Sequence, residues 1–257
     1  MNTDGIKVVD CHTHVFTDKI AQKAVLHLVN HYRMPWSGDG TLTQLLKMAP
    51  VAVFSTATKP EQVVSINDYI ASLSDERLIC FGTIHPDFSG CEAEIERISA
   101  LGLKGIKLHP DFQGFAIDDP RMMRIYDVIG SRLPVLIHLG DENSDYSAPR
   151  RLSKVLKEFP SLTVIGAHMG GYMRWDEARE HLIGKNLYLD TSSTLCRISP
   201  ERMGELIGAH GADRVLFGTD YPARLHKEEL ENFMKVPLKD SERAKILSLN
   251  AISLFNL

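Results

Sequence analysis

The sequence predicts an α/β fold, a single-domain (β/α)8 TIM barrel, on three observations. Its 257 residues match the usual size of one such barrel. Eight apolar runs rich in Val, Ile and Leu recur along the chain, separated by segments with helical periodicity. Polar residues close nearly every run, and a barrel is the arrangement that converges all of its strand ends on one site. An open doubly wound sheet also alternates strands and helices. The G-x-G-x-x-G fingerprint of its dinucleotide-binding form is absent after the first strand.

The elements follow in order. IKVVDCHTH from Ile6 is the first strand, and VAVFSTAT from Val51, LICFGTIHP from Leu78 and GLKGIKLHP from Gly102 are the next three. PVLIHLGD from Pro134, LTVIGAHMG from Leu162, LYLDTSS from Leu187 and RVLFGTDYP from Arg214 complete the set. Amphipathic helices are expected over 61–73, 91–100, 120–131, 149–159, 172–183 and 200–210. Asp119 before Pro120 and Ser199 before Pro200 read as N-cap and first-turn pairs. An insertion at about 17–50 holds a helix-like stretch (19–30), HYRMPWSGDG and TLTQLLKMA, and is expected to overhang the barrel mouth. Residues 241–257 read as a last amphipathic helix closing the outer ring.

Composition narrows the function. Hydrophobic residues make up 44% and charged residues 24%, enough for a sizeable core and against disorder. A net charge of -4 offers no basic field for nucleic acid, so a small-molecule substrate is expected. The polar start Met1 to Lys7 has no signal-peptide core, and no apolar run reaches the roughly 18 residues of a membrane helix. A cytoplasmic protein is the expectation, with a homodimer as its oligomer. Cys11, Cys80, Cys91 and Cys196 are scattered without a C-x-x-C pair, which reads as buried free thiols.

Side chains alternate across a strand, so Asp10, His12 and His14 share one face while Val9, Cys11 and Thr13 share the other. On its own, an H-x-H pair also fits ordinary polar residues ending a strand. His138, His168 and Asp220 end the fifth, sixth and eighth runs, each inside an otherwise apolar segment. Several polar groups meeting in a barrel mouth are costly unless a cation or ordered water partners them. A metal site among His12, His14, His138, His168 and Asp220 is therefore expected, with His12, His14, His138 and Asp220 as its ligands on the resemblance given below. The donor set admits Zn²⁺, Mn²⁺, Fe²⁺ or Co²⁺, with zinc the first expectation and one ion favoured over two.

These motifs, DCHTH, KGIKLHP, LIHLG, GAHMGG, LDTSS and FGTDYP, with the closing ILSLNAISLFNL, carry a resemblance. The whole chain resembles the amidohydrolase superfamily, in particular the amidohydrolase-related (amidohydrolase 2) branch that includes aminocarboxymuconate semialdehyde decarboxylase and several hydrolases. The resemblance implies that His12 and His14 are first-strand ligands and His138 the fifth-strand ligand. It implies that Asp220 binds metal and takes a proton from the nucleophilic water. His168 matches a sixth-strand histidine that polarises substrate or moves protons in single-metal members and is a ligand in two-metal members.

Lys107, on one face with His109 in GIKLHP, stays open between a carbamylated bridge of two ions, a group holding a substrate carboxylate, and a buried ion pair with Asp10 or Asp190. His109 and His85, each before a proline, read as pocket-lining or turn-stabilising. Asp190, Thr191 and Ser192 are assigned no catalysis. Arg33 and Trp36, with His31, could select an anionic or ring-bearing substrate from the insertion or belong to a solvated loop. His27, His181, His210, His226 and the run HKEELE read as non-functional, helical or solvated.

Hydrolysis of a small-molecule amide, lactone or ester-like bond by metal-activated water is the first functional expectation. Metal-dependent, non-oxidative decarboxylation of an unsaturated or aromatic carboxylic acid is the alternative that the same residues allow. A non-catalytic binding barrel stands last, because the whole ligand set is present.

Overall fold

The computed structural model describes residues 7–47, 50–73 and 75–257. The start of the first predicted strand at Ile6, the polar N-terminal residues 1–6, and residues 48–49 of the insertion lie outside that description. Among the described residues, eight strands form one sheet in the sequential order β1 to β8. They are β1 (Asp10–His14), β2 (Val51–Phe54), β3 (Leu78–Thr83), β4 (Gly105–Leu108), β5 (Val135–Ile137), β6 (Val164–Gly166), β7 (Tyr188–Asp190) and β8 (Val215–Leu216). Parallel strands in sequential order with intervening helices are the (β/α)8 barrel, as the sequence predicts.

The chain resolves into two compact units, Met1–Val53 with Asp75–Ile79 and Thr191–Leu257, and Phe54–Ser74 with Cys80–Asp190. In the second, β3 to β7 run parallel in unbroken register, from Phe81 beside Gly105 to Gly166 beside Leu189. Their residues Ile106, Leu108, Val135, Ile137 and Ile165 are fully buried, the Val and Ile enrichment expected where both sheet faces are covered. Helix Pro120–Ile129 starts where Asp119 accepts from the Arg121 amide at 2.9 Å, as predicted.

In the first unit, β1 lies beside the chain that continues β8. The Cys11 amide donates to Phe217 O at 2.8 Å, the Asp220 amide to His12 O at 2.8 Å and the His14 amide to Tyr221 O at 2.7 Å. Regular β8 is short, yet these bonds carry an extended path on to Tyr221. Helix Pro200–His210 starts at Ser199, whose hydroxyl accepts from the Arg202 amide at 3.3 Å.

The insertion supplies helix Asp18–Tyr32 and the segment 38–40, which is anchored on Tyr221 and Pro222. The Gly38 amide donates to Pro222 O at 2.9 Å, and the Tyr221 hydroxyl donates to Asp39 at 2.7 Å. The predicted last helix is built in three pieces, Asp240–Ala244, a wider π turn over Lys245–Leu249, and Asn250–Phe255. The helix predicted over 172–183 is shorter, Trp175–His181, because the chain first makes a tight turn at His168–Gly170.

Candidate metal centre

The strand period places His12 and His14 on one face of β1, and their Nε2 atoms reach Asp220 Oδ1 at 3.3 and 3.2 Å. One donor atom from each of the three side chains lies within 4.8 Å of the other two. His12 is sealed, at 1% side-chain exposure, while His14 and Asp220 keep 14% and 15%, which leaves this group open to a substrate on one side.

Asp220 adopts a left-handed φ of 65°. A residue with a Cβ holds that conformation at a cost, and here the bond from its amide to His12 O fixes it. The turn delivers the carboxylate to the imidazoles. Its second oxygen, Oδ2, accepts from the Ser193 hydroxyl at 2.6 Å. His12 Nδ1 lies 3.0 Å from the Ser192 hydroxyl, an outer bond of the kind that sets ring orientation and tautomer and leaves Nε2 for a ligand.

Asp10, fully buried on the same strand face, ties β1 to the chain after β8. It accepts from the His12 amide at 3.2 Å, the Thr219 amide at 3.1 Å and the Thr219 hydroxyl at 2.7 Å, and it pairs with His226 Nδ1 at 3.4 Å. Gly218 sits where a Cβ would come within 2.8 Å of His12 Cβ, so the backbone approaches β1 through a position that takes no side chain.

In the other unit, His138 follows directly on β5. Its Nδ1 lies 3.0 Å from His168 Nε2, and its Nε2 lies 3.0 Å from Gly140 O. Gly140 is left-handed, φ +85°, and a Cβ there would strike Tyr172 O at 2.2 Å. His168 lies two residues beyond β6 on the tight turn, with φ 58°. Its amide donates to Asp190 Oδ1 at 3.1 Å and its carbonyl accepts from Trp175 Nε1 at 2.9 Å.

The His109 ring stacks on His138 at 3.9 Å between centroids, 11° from parallel. Its own Nδ1 accepts from the Phe112 amide at 3.5 Å, the turn-stabilising role that sequence allowed. His85 does the same for the Asp87 amide at 3.2 Å. Asp111 brings a carboxylate 3.9 Å from His138 Nε2. Burial pushes the Asp111 carboxyl up in pKa and the Asp141 charge adds to that, while the Ser147 and Ser144 hydroxyls draw it down.

Lys107 is wholly buried, its ammonium 4.7 Å from the centre of the Phe54 ring. Arg33 is exposed at the left-handed end of helix Asp18–Tyr32, and Trp36 stacks on Tyr32 at 6.3 Å. His210, buried, ends helix Pro200–His210, and His226, partly exposed, opens helix His226–Phe233 and pairs with Asp10, so both are helical as expected. One reading needs correction. HKEELE is not a uniformly solvated face, because Glu229 turns inward at 1% exposure with Oε1 lacking a hydrogen-bond partner. Burial raises its carboxyl to about 7, opposed by Arg224 and reinforced by the Asp10 and Asp220 charges.

Of the predicted thiols, Cys11 alone is fully buried; Cys80, Cys91 and Cys196 are half-buried, and all four are free. Sequence reasoning missed Asp10 as an anchor, Ser193, Asp111 and Trp175. An acidic residue two places after His109 was a visible signal for Asp111, whereas nothing local distinguishes Trp175.

Two imidazoles and a carboxylate at this spacing suit a divalent cation, the donor chemistry of Zn²⁺, Mn²⁺ or Fe²⁺. The fold and this group define a metal-dependent enzyme of the parallel-barrel class. The amidohydrolase family model matches residues 9–257, and the chain belongs to that family. An uncharacterised TIM-barrel protein of Bordetella bronchiseptica is similar at 21% identity, with TM-score 0.77 over 97% of this chain and 98% of that one. The 5-carboxyvanillate decarboxylase of Sphingomonas paucimobilis is similar at 17% identity and TM-score 0.70, over 98% and 100%. A dihydroxybenzoic acid decarboxylase of Polaromonas sp. JS666, with bound manganese and 2-nitroresorcinol, is similar at 15% identity and TM-score 0.68, over 97% of each chain. Among the described residues, no helix is long and apolar enough to cross a membrane.

Proposed function

We propose that this enzyme catalyses the non-oxidative decarboxylation of an aromatic or unsaturated carboxylic acid, with one divalent ion held by His12, His14, His138 and Asp220. The observation that carries the reading is the pair of full-length structural relatives that are decarboxylases of aromatic acids. They favour the second of the two reactions expected from sequence over hydrolysis. Manganese in one of them makes Mn²⁺, rather than Zn²⁺, the ion to load first. His12, His14 and Asp220 supply a ready three-donor group, and the fourth ligand, His138, is proposed on the resemblance of the sequence motifs alone.

A bound divalent ion supplies Lewis acidity that orients the substrate carboxylate and neighbouring oxygens. The protein's own part is proton transfer and positioning. Asp220 Oδ1 faces the imidazoles, so Oδ2, held by Ser193, is the oxygen that carries a proton to substrate. That proton, taken up by Oδ2 from solvent between turnovers, goes to the carbon bearing the carboxylate; the C–C bond then breaks, its electron pair restores the ring or double bond that formed the new C–H bond, and carbon dioxide leaves. His168, whose bonds to His138, Asp190 and Trp175 hold its position, takes in this reading the role of steadying charge on the substrate's oxygens.

The test is Mn²⁺-loaded protein incubated with hydroxybenzoic acids, small esters and lactones in ¹⁸O-labelled water. Carbon dioxide release with unlabelled aromatic product is expected; ¹⁸O in the product without carbon dioxide would establish hydrolysis instead. D220N is expected to abolish turnover at saturating substrate and metal, and H12A to lower metal content.

A further inference from the structure

We propose a second divalent-cation site, made by His109, Asp111 and His138 Nε2 within the unit Phe54–Ser74 with Cys80–Asp190, for a transition ion such as Mn²⁺. One donor atom from each of the three side chains lies within 4.8 Å of the others, a spacing one ion can span. The independent observation is Asp111. Its side chain is 5% exposed, and neither Oδ1 nor Oδ2 has a hydrogen-bond partner of ordinary geometry, the Ser147 and Ser144 hydroxyls nearby offering it neutral donors but no cation. A buried carboxylate in that state is expensive unless a cation meets it, and the nearest candidates to share such a cation are the two stacked imidazoles. Gly140 O, 3.0 Å from His138 Nε2, adds an oxygen on the same side. Two nitrogens, a carboxylate and a carbonyl form a mixed donor set that suits first-row divalent ions.

This site goes beyond the proposed function and shares only the His138 ring with it. The two nitrogens of an imidazole point apart, here Nδ1 toward His168 and Nε2 toward Asp111. His109 contributes a ring nitrogen by giving up its hold on the Phe112 amide, a long bond at 3.5 Å.

The experiment is Mn²⁺ titration of metal-free protein by equilibrium dialysis, with elemental analysis of the wild type, D111N, H109N and H12A. Two equivalents are expected in the wild type, one in D111N and in H109N, and one retained in H12A that disappears when D111N is added. A single equivalent in the wild type that D111N and H109N leave unchanged overturns the second site while leaving the proposed function standing. No binding in the wild type overturns both. Should D111N fail to fold, H109N and the wild-type stoichiometry decide between the same outcomes.

Discussion

Gly218→Ala is the substitution whose outcome the structure specifies most closely. The added Cβ would stand 2.8 Å from His12 Cβ, 3.4 Å from His12 N and 3.3 Å from Ser192 Cβ. Carbon atoms prefer about 3.5–4.0 Å, so the overlap with His12 is roughly 0.7–1.2 Å. The atoms it meets are rooted in β1 and in the Ser192 backbone, and neither is the free end of a flexible chain. Gly218 is not left-handed, so alanine suits the backbone and the effect is steric alone. Overpacking of this kind costs about 1–3 kcal/mol. For a chain of this size each kcal/mol lowers Tm by about 2–4 °C.

The same displacement moves the His12 ring away from Asp220, and disturbed ligand placement should weaken metal affinity by roughly 10–100-fold. Calorimetry of the metal-free protein reads the first effect and Mn²⁺ dialysis the second. Gly208→Ala is the control: nothing lies within 4 Å of its Cβ in helix Pro200–His210, and a gain of about 0.5–1 kcal/mol is expected. Wild-type Tm and wild-type affinity in G218A would refute the claim that this close approach sets the ligand geometry.

Ser192→Ala removes the hydroxyl 3.0 Å from His12 Nδ1 and should weaken Mn²⁺ binding about 10-fold with little change in Tm, read by dialysis and calorimetry. Trp175→Phe takes the donor from His168 O and should cost about 1–3 kcal/mol and lower turnover while metal content holds; unchanged kcat would count against His168 positioning. Glu229→Gln tests pH dependence. The folded pKa is raised from 4.5 to about 7, so the folded state binds more protons than the unfolded, and wild-type stability falls as pH rises through that window. E229Q should therefore be the more stable protein at pH 8, by roughly 3 kcal/mol, and lose that advantage by pH 4. Parallel urea unfolding curves at both pH values with no such crossover would show that Glu229 ionises freely.

Several elements were legible because their signals are local. The β1 histidines share a face because strand side chains repeat every two residues, and the structure keeps both on Asp220. Asp119 and Ser199 cap their helices because capping needs only a side-chain oxygen and an amide two or three residues on. Other features were not local. Asp10 meets Thr219 and His226 across more than 200 residues of chain, so no window of sequence announces it. Glu229 sits in a run with charged neighbours on both sides, and helix orientation alone turned it inward. His168 was read as a strand end, yet it occupies a left-handed turn that Trp175 and Asp190 hold in place.

The sequence by itself determined the alternation of strands and helices, hence the barrel, and the polar residues at its strand ends. Both follow from periodicity and from the cost of placing polar groups in apolar runs. Tertiary structure alone decided which of those residues meet: His12, His14 and Asp220 in one unit, His109, Asp111 and His138 in the other. It did so because ligand spacing depends on strand register and on close backbone approaches such as Gly218. These are set by packing among residues far apart in the chain.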